Sequence, residues 1–389
     1  MITESRHLHA VKVLKMLKLK NLFFVLPLLC MGLASCNVHE WPKEEGEKYA
    51  FTLYLDFDMA LPLYKEVYYT RGANDDSRAD ESLYDIRYII NVYRVTDEND
   101  NSRYIDYTYT FSKPYIEDHD YSVVLDLPEG NYRFRVWSDH VATGTQTDYF
   151  YNTADFTEIK LDESNGHPGS NERRDAFRGT AYGQVYDPEL YEDRNGVLPA
   201  NKVVVPMERP MGRYEFVSTD LDDFLDKAIQ SADQDLLADL LARAASRAPT
   251  KDAIYNGLTR DELAEAIGLD DYTVVFSYNA FMPSSYNLYT DKPSDSSTGI
   301  KFDSKMEIGT DGMKMGFDYI LVDEGTTMNV NMQVYNGSGD LVSAVSGVEV
   351  PVVRSKNTVV KGLFLTVTSG GGVTINPDFE GPDFDIEIH

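Results

Sequence analysis

The sequence predicts a mostly β protein of the sandwich type with one helical insertion. Three observations point there. Alternation with period two recurs along the chain. It is clearest at residues 51–58, where Phe51, Leu53, Leu55 and Phe57 take one face and Thr52, Tyr54, Asp56 and Asp58 the other. The chain holds 27 Tyr and 18 Phe but only 2 Trp, a composition suited to broad, half-buried sheet faces. A helical period is confined to one stretch near the middle. Strands at short spacing with turn punctuation favour a sandwich over βαβ units.

The chain opens differently. Arg6, Lys12, Lys15, Lys18 and Lys20 make a basic segment ahead of an apolar run over residues 22–34. The run is shorter than the ~20 apolar residues of a membrane-spanning helix but suits the apolar region of a signal peptide. It ends in Leu33, Ala34, Ser35 and Cys36, which resembles the lipobox of bacterial lipoproteins. That resemblance implies diacylation of the Cys36 thiol and cleavage before it, with residues 1–35 as signal peptide. Met16 is an alternative start. Residues 36–49 then read as an acidic tether broken by Pro42. Lys43, Glu44 and Glu45 resemble the acidic patch that exports lipoproteins to the cell surface in Bacteroidota; a solvated linker explains them equally well.

The body follows as strands. After residues 51–58 comes a charged loop with Arg71 and Arg78. Residues 86–95, 103–111 and 121–127 continue the pattern, with Asp97 to Asn101 as a turn. Pro128 and Gly130 punctuate a strand-turn-strand, after which Tyr132, Phe134 and Val136 face one way. Over residues 162–201 the pattern weakens, with 162–174 and 186–196 as loops. Residues 202–207 close a first domain, 50–210, and the boundary falls at residues 208–212. The second domain, 211–389, opens with a strand at 213–217. From Thr219 the period changes, and Leu221, Leu225, Ala228, Ala232, Leu236 and Leu240 share a helical face. Thr219 is the expected cap, followed by Asp220, Asp222 and Asp223 at the positive end of the helix dipole. Thr259 and Glu262 form a capping-box pattern, and Gly268 stops that second helix. Residues 219–268 are therefore a helical insertion. Strands resume at 272–278, 317–322, 328–335, 348–353 and 359–368. Asn336 to Asp340 forms a hairpin turn, and residues 383–388 alternate once more.

Charge and motifs bound the chemistry. Lys+Arg number 36 and Asp+Glu 64, a net of −28, which argues against a nucleic-acid partner. Residues 1–35 hold five basic residues and one acidic one, so without them the balance is 31 against 63, or −32. With Cys30 in the leader and Cys36 lipidated, no thiol or disulfide remains. His39, His119, His140, His167 and His389 form no HExxH and no close pair. No Cys pair, GxSxG elbow, Walker loop or strand-following GxGxxG is present. Asp118, His119 and Asp120, and the pair Asp139 and His140, are the sharpest polar clusters, but a chain this acidic produces such neighbours by chance. The sequence thus points to no enzyme, no cofactor and no metal.

Several segments together carry a resemblance. They are Leu127-Pro-Glu-Gly-Asn-Tyr-Arg-Phe-Arg-Val-Trp137, Tyr214-Glu-Phe-Val-Ser-Thr-Asp-Leu-Asp-Asp-Phe224 and Asn279-Ala-Phe-Met-Pro-Ser-Ser-Tyr-Asn287. Gly316-Phe-Asp-Tyr-Ile-Leu-Val322 and Val350-Pro-Val-Val-Arg354 leading into residues 358–366 complete the set. With the lipobox, they resemble the fimbrillin-like lipoproteins of Bacteroidota, which include fimbrial stalk, tip and anchor subunits. The resemblance implies two transthyretin-like β-sandwich domains in tandem and assembly by strand donation. It also implies lipid anchoring through Cys36 in the outer membrane, other fimbrial subunits as partners, and a role in adhesion. Arg71 or Arg78 is placed like the site where an arginine-specific protease cuts after the first strand of polymerising fimbrillins. Residues 51–58 and 384–388 are the segments that could be displaced or donated. The helical insertion is not part of the common fimbrillin core. A surface lipoprotein that binds a glycan or host ligand without polymerising is the alternative.

Overall fold

The structure, a computed structural model, describes residues 46–61, 63–67, 84–114, 121–190, 200–244, 254, 257–309 and 312–367. By compactness the chain divides into a small unit, Met1–Lys48 with Leu127–Glu129, and a large one, Tyr49–Asp126 with Gly130–His389. Of the small unit only residues 46–48 and Leu127–Glu129 are described, as strand ends and a turn.

The chain is mostly β. Its earlier strands are β1 (Lys48–Phe57), β2 (Leu63–Val67), β3 (Tyr84–Val95), β4 (Tyr107–Pro114), β5 (Tyr121–Pro128), β6 (Gly130–Ala142), β7 (Tyr151–Asn152), β8 (Ile159–Leu161), β9 (Phe177–Val185) and β10 (Lys202–Glu208). After β11 (Met211–Ser218) come the helices α1 (Leu221–Ser231), α2 (Gln234–Arg243) and α3 (Arg260–Ala266). The later strands are β12 (Thr273–Tyr278), β13 (Met282–Asn287), β14 (Lys292–Ser297), β15 (Lys301–Ser304), β16 (Glu307–Gly309), β17 (Gly312–Leu321), β18 (Gly325–Tyr335), β19 (Leu341–Val353) and β20 (Asn357–Gly362).

Seven of these strands form one sheet in the order β4-β3-β6-β9-β10-β1-β5, with β1 parallel to β10. The sheet does not lie flat. Tyr88 on β3 and Tyr121 on β5 bring their rings within 5.1 Å, and the Lys113 ammonium on β4 sits 4.9 Å from the Tyr121 ring centroid. Strands near the two ends of the sheet therefore face each other across an aromatic core that includes Phe57. Sheet twist and the removal of open edges both favour such curling.

The later strands, joined by β2 from near the start of the chain, make two facing sheets, β16-β17-β11-β20-β2 and β15-β12-β18-β19. Phe216 on β11 meets Phe276 on β12 at 5.5 Å between ring centroids. A further sheet, β14-β13-β8-β7, combines strands from before and after residue 210. One apolar cluster is continuous from Ile89, Trp137 and Tyr151 through Met211 to the cores of the later sheets.

The helical segment departs from the expected layout in two respects. One long face over 221–240 is broken at Ala232, and Asp233 caps a new helix by accepting from the Leu236 amide at 2.8 Å. Thr219 does not cap. Its hydroxyl and amide both donate to the Gly362 carbonyl, and Asp220 takes the N-cap position without a side-chain capping bond. The Asp220 carboxylate is drawn instead to the Thr366 amide at 2.8 Å and the Thr366 hydroxyl at 2.6 Å, fixing the chain after β20. The Thr259–Glu262 capping box forms as the sequence indicates, and Gly268 adopts a left-handed φ of 70°. Leu221, Phe224, Leu225 and Ile229 bury the inner face of α1 in the main cluster.

Asp318 on β17 is the most deeply placed carboxylate of this core. It accepts from Tyr278 Oη at 2.5 Å, His167 Nε2 at 2.7 Å, the Tyr319 amide at 2.8 Å and the Arg174 guanidinium. Burial alone would raise its pKa, but Arg174 and then His167 hold it below the usual carboxylate range. His167 is pulled down by burial, yet Asp318 opposes this and the net shift is upward.

Two residues before Asp318, the β11–β17 ladder carries a bulge. Phe216 pairs with Gly316 and Val217 with Lys314, leaving Met315 as the extra residue. Gly316 has φ 152°, and a Cβ there would lie 2.5 Å from the Phe276 ring and 2.6 Å from Ser304 Oγ. Gly316→Ala should therefore destabilise the protein by about 2–3 kcal/mol through overpacking and backbone strain. A fall in the urea midpoint with unchanged slope would match; an unchanged midpoint would contradict this account.

Candidate functional site

Cys36, Arg71, Arg78, Asp118, His119, Asp120 and residues 384–388 lie outside the described residues. The other candidate exchange segment, residues 51–58, is described and forms most of β1. It is an interior strand, lying between β10 and β5. Its parallel ladder runs from Thr52 opposite Lys202 to Phe57 opposite Met207. Phe51, Leu53 and Leu55 are buried, as the alternation requires. Phe51 stacks on Phe134 of β6 at 5.3 Å. Gly183 on β9 leaves room for it, because a Cβ there would come within 2.7 Å of Phe51 Cζ. The strand thus fills a slot shaped for its side chains.

An arginine closes the far end of that slot. Arg209 Nη1 donates to the carbonyls of Asp58, Met59 and Ala60 at 3.3, 3.2 and 3.0 Å, holding the chain as it leaves β1. The guanidinium is itself fixed by Asp175, with Nε–Oδ1 at 2.8 Å and Nη2–Oδ2 at 2.8 Å, and lies 4.6 Å from the Phe177 ring centroid. These are charge-assisted bonds in a buried setting, stronger than neutral ones. Sequence reasoning assigned Arg209 only to a domain boundary. No motif marks it, since its partners are main-chain carbonyls and an aspartate 34 residues away.

Beside this exit lies a cavity of about 370 Å³, lined by Phe57, Met59, Tyr88, His140, Arg173 and Tyr319. Asp139 and His140 do not act here as a pair. Successive residues of a strand point to opposite faces, and Asp139 is engaged by Arg87 through Nε at 2.9 Å and Nη2 at 2.7 Å. His140 packs toward the connector between β8 and β9, with Nδ1 3.3 Å from the Asp175 carbonyl. Burial first, and the Arg173 charge second, push the His140 pKa down to about 4. Among the described residues, no group of three or more His, Cys, Asp or Glu is placed to hold a metal ion, and no helix is long and apolar enough to cross a membrane.

The buried His140 has a testable consequence. Between its ordinary 6.5 and about 4, the unfolded chain binds a proton that the folded chain refuses. Stability from this residue is therefore complete above 6.5 and lost as pH falls toward 4. Relative to wild type, His140→Gln should gain roughly 3 kcal/mol between pH 7 and pH 4. Urea unfolding at both pH values checks this; a wild type–variant difference that does not change with pH would contradict it. His167, whose pKa is raised, acts with the opposite sign and is common to both proteins.

No curated protein matches the chain. Among solved structures it is similar to a proposed cell adhesion protein from Bacteroides eggerthii, with 12% identity over 88% of this chain and 94% of that one and a TM-score of 0.39. It is also similar to the fimbrial anchor protein Mfa2 from Porphyromonas gingivalis, with 9% identity, coverage of 76% and 82%, and a TM-score of 0.32. Proposed polysaccharide-binding proteins from Bacteroides thetaiotaomicron give 12% identity, coverage of 76% and 79%, and a TM-score of 0.35. Likenesses at these scores fix neither the fold nor the role of this chain. A family model does match over residues 46–389, and the chain belongs to that family, a family of unknown function (DUF6562).

Proposed function

We propose that the protein is a cell-surface lipoprotein that serves as a structural, anchor or tip subunit of a fimbria assembled by strand donation. The observation that supports this most is β1. It is an interior strand with buried alternating side chains, it is latched by Arg209, and it is followed in sequence by Arg71 and Arg78. Removing it would uncover an apolar slot bounded by the backbones of β5 and β10. Burying each large apolar side chain contributes about 1.5–3 kcal/mol, so an empty slot has a strong preference for a replacement strand. A donor with period-two apolar residues would restore both the ladder and the core. Residues 384–388, with Phe384, Ile386 and Ile388, have that pattern. The leader and Cys36 support export and lipid attachment to the outer membrane.

Three measurements test this reading. Cells fed an alkyne fatty acid should label the wild-type protein, and Cys36→Ala should be unlabelled and lost from the membrane fraction. Amino-terminal sequencing of surface-extracted protein should find chains beginning just after Arg71 or Arg78, in denaturant-resistant ladders. Intact lipid-linked chains alone would exclude the polymerising role and leave that of an anchor; the absence of ladders would exclude strand-donated assembly. Finally, Arg209→Gln should raise amide hydrogen exchange across residues 52–58 by about tenfold, the effect of losing a charge-assisted contact. Exchange in β18 and β19 should not change. Equal protection in the two proteins would remove Arg209 as the latch.

A further inference from the structure

Four buried arginines among the described residues are met by carboxylates. Arg87 faces Asp139, Arg174 faces Asp318, Arg209 faces Asp175, and Arg213 faces Glu172 and Glu215. Arg135 on β6 is different. It is 2% exposed, yet no carboxylate among the described residues lies within ion-pair distance. Its Nη2 donates to Asn101 Oδ1, while Nε and Nη1 have no acceptor. The guanidinium instead lies 4.2 Å from the Tyr289 ring centroid and 5.2 Å from that of Tyr93. Two other cations are close. Arg133 shares the same face of β6, and Arg103 lies 5.3 Å from the same Tyr289 ring. Burial, with repulsion from Arg133 and Arg103, pulls the Arg135 pKa down. In a chain of net −28, arginines thus gather in one place, and Arg135 among them has no carboxylate partner.

Arg135 lines an open cleft of about 410 Å³ with Arg133, Arg178, Asn101, Thr180 and Tyr289. We propose that this cleft binds a carboxylated sugar of the uronic-acid type, with the sugar carboxylate over Arg133 and Arg135. A buried charge without a counter-ion costs several kcal/mol, and a bound carboxylate offsets that cost. Arg133 supplies the direct donor, since only its Nη2 is engaged, by the Glu98 carbonyl. Arg178 is already held by Asp291 and Glu208 and shapes the wall. The rest of the ligand follows from the remaining lining. Asp291 is already held by Arg178, Arg354 and Tyr286, so the part of the lining left to pair with ligand hydroxyls is Glu98, Asn99 and Thr180. A single carboxylate carried on a hydroxyl-rich ring satisfies both halves of the cleft, and the volume lies within the usual range for small ligands. A Glu side chain of a peptide matches only the arginine half. The inference does not depend on strand donation.

The test is calorimetric titration of the full mature chain with D-galacturonate and D-glucuronate. Methyl galactoside, inorganic phosphate and a short Glu-containing peptide are the comparisons. At least one uronate should bind saturably, and the three comparisons at least about tenfold more weakly, the value of one charge-assisted hydrogen bond. Arg133→Gln and Arg135→Met should each weaken uronate binding by about tenfold or more. Arg135→Met should also melt no lower than wild type, because it removes an uncompensated buried charge; a purely structural stacking role would lower its melting temperature. If Arg135→Met does not fold, the proposal fails on that count, and Arg133→Gln still reads the binding. Absence of saturable uronate binding, equal binding of phosphate or peptide, or indifference to Arg133→Gln would each overturn the proposal.

Discussion

One buried carboxylate fixes the position of much of this molecule. Asp318 sits where β12, β17 and the connector before β9 meet, and an ionised group at that depth is stable only with all its donors in place. Those donors come from different parts of the chain. Tyr278 brings β12, and His167 and Arg174 bring the connector. Arg174 in turn donates to the Tyr319 carbonyl and offers its own carbonyl to Tyr151 Oη. With the connector pinned, Glu172 reaches Arg213 and Tyr319, and Asp175 reaches Arg209. Arg209 then holds the backbone leaving β1. A continuous series of short polar contacts therefore runs from the later sheets to the exit of the first strand.

The first strand is held in two physically different ways. Its side chains are retained by apolar burial, which is non-directional and would accept any strand of similar pattern. Its end is retained by Arg209, whose donors fit one backbone path. A replacement strand could reproduce the first kind of contact without the second. The proposed strand exchange rests on this division, since it would need the slot to be specific for the resident strand while remaining usable by another.

Much of this architecture was legible in the sequence where side chains alternate or cap. Residues 51–58, the Thr259–Glu262 box and the Asn336–Asp340 hairpin all formed as their local chemistry dictates. The residues around β9 were harder to read. That strand carries Gly179 and Gly183, which look like loop signals, but they are small because Met207 and Phe51 occupy the space beside them. β14 was hidden for another reason: it is Lys-Pro-Ser-Asp-Ser-Ser, mostly exposed, and it exists because β13 offers it a ladder. Neither Thr219 nor Asp220 caps the helix with its side chain, because the chain after β20 competes for both. Arg209 and Arg135 had no sequence signal at all. Their meaning lies in what the fold places opposite them, main-chain carbonyls in one case and no carboxylate in the other.

The acidic composition sharpens what Arg135 implies. At physiological salt the Debye length is about 8 Å, so the distant charges behind the net −28 are largely screened within the cleft. The charges that line the cleft are not. Asp291 is taken up by Arg178 and Arg354, which leaves Arg135 and Arg133 as the cations that face a ligand. A neutral sugar leaves the buried cation uncompensated, whereas a carboxylate on the ring offsets it before any contact with the rest of the ligand is counted.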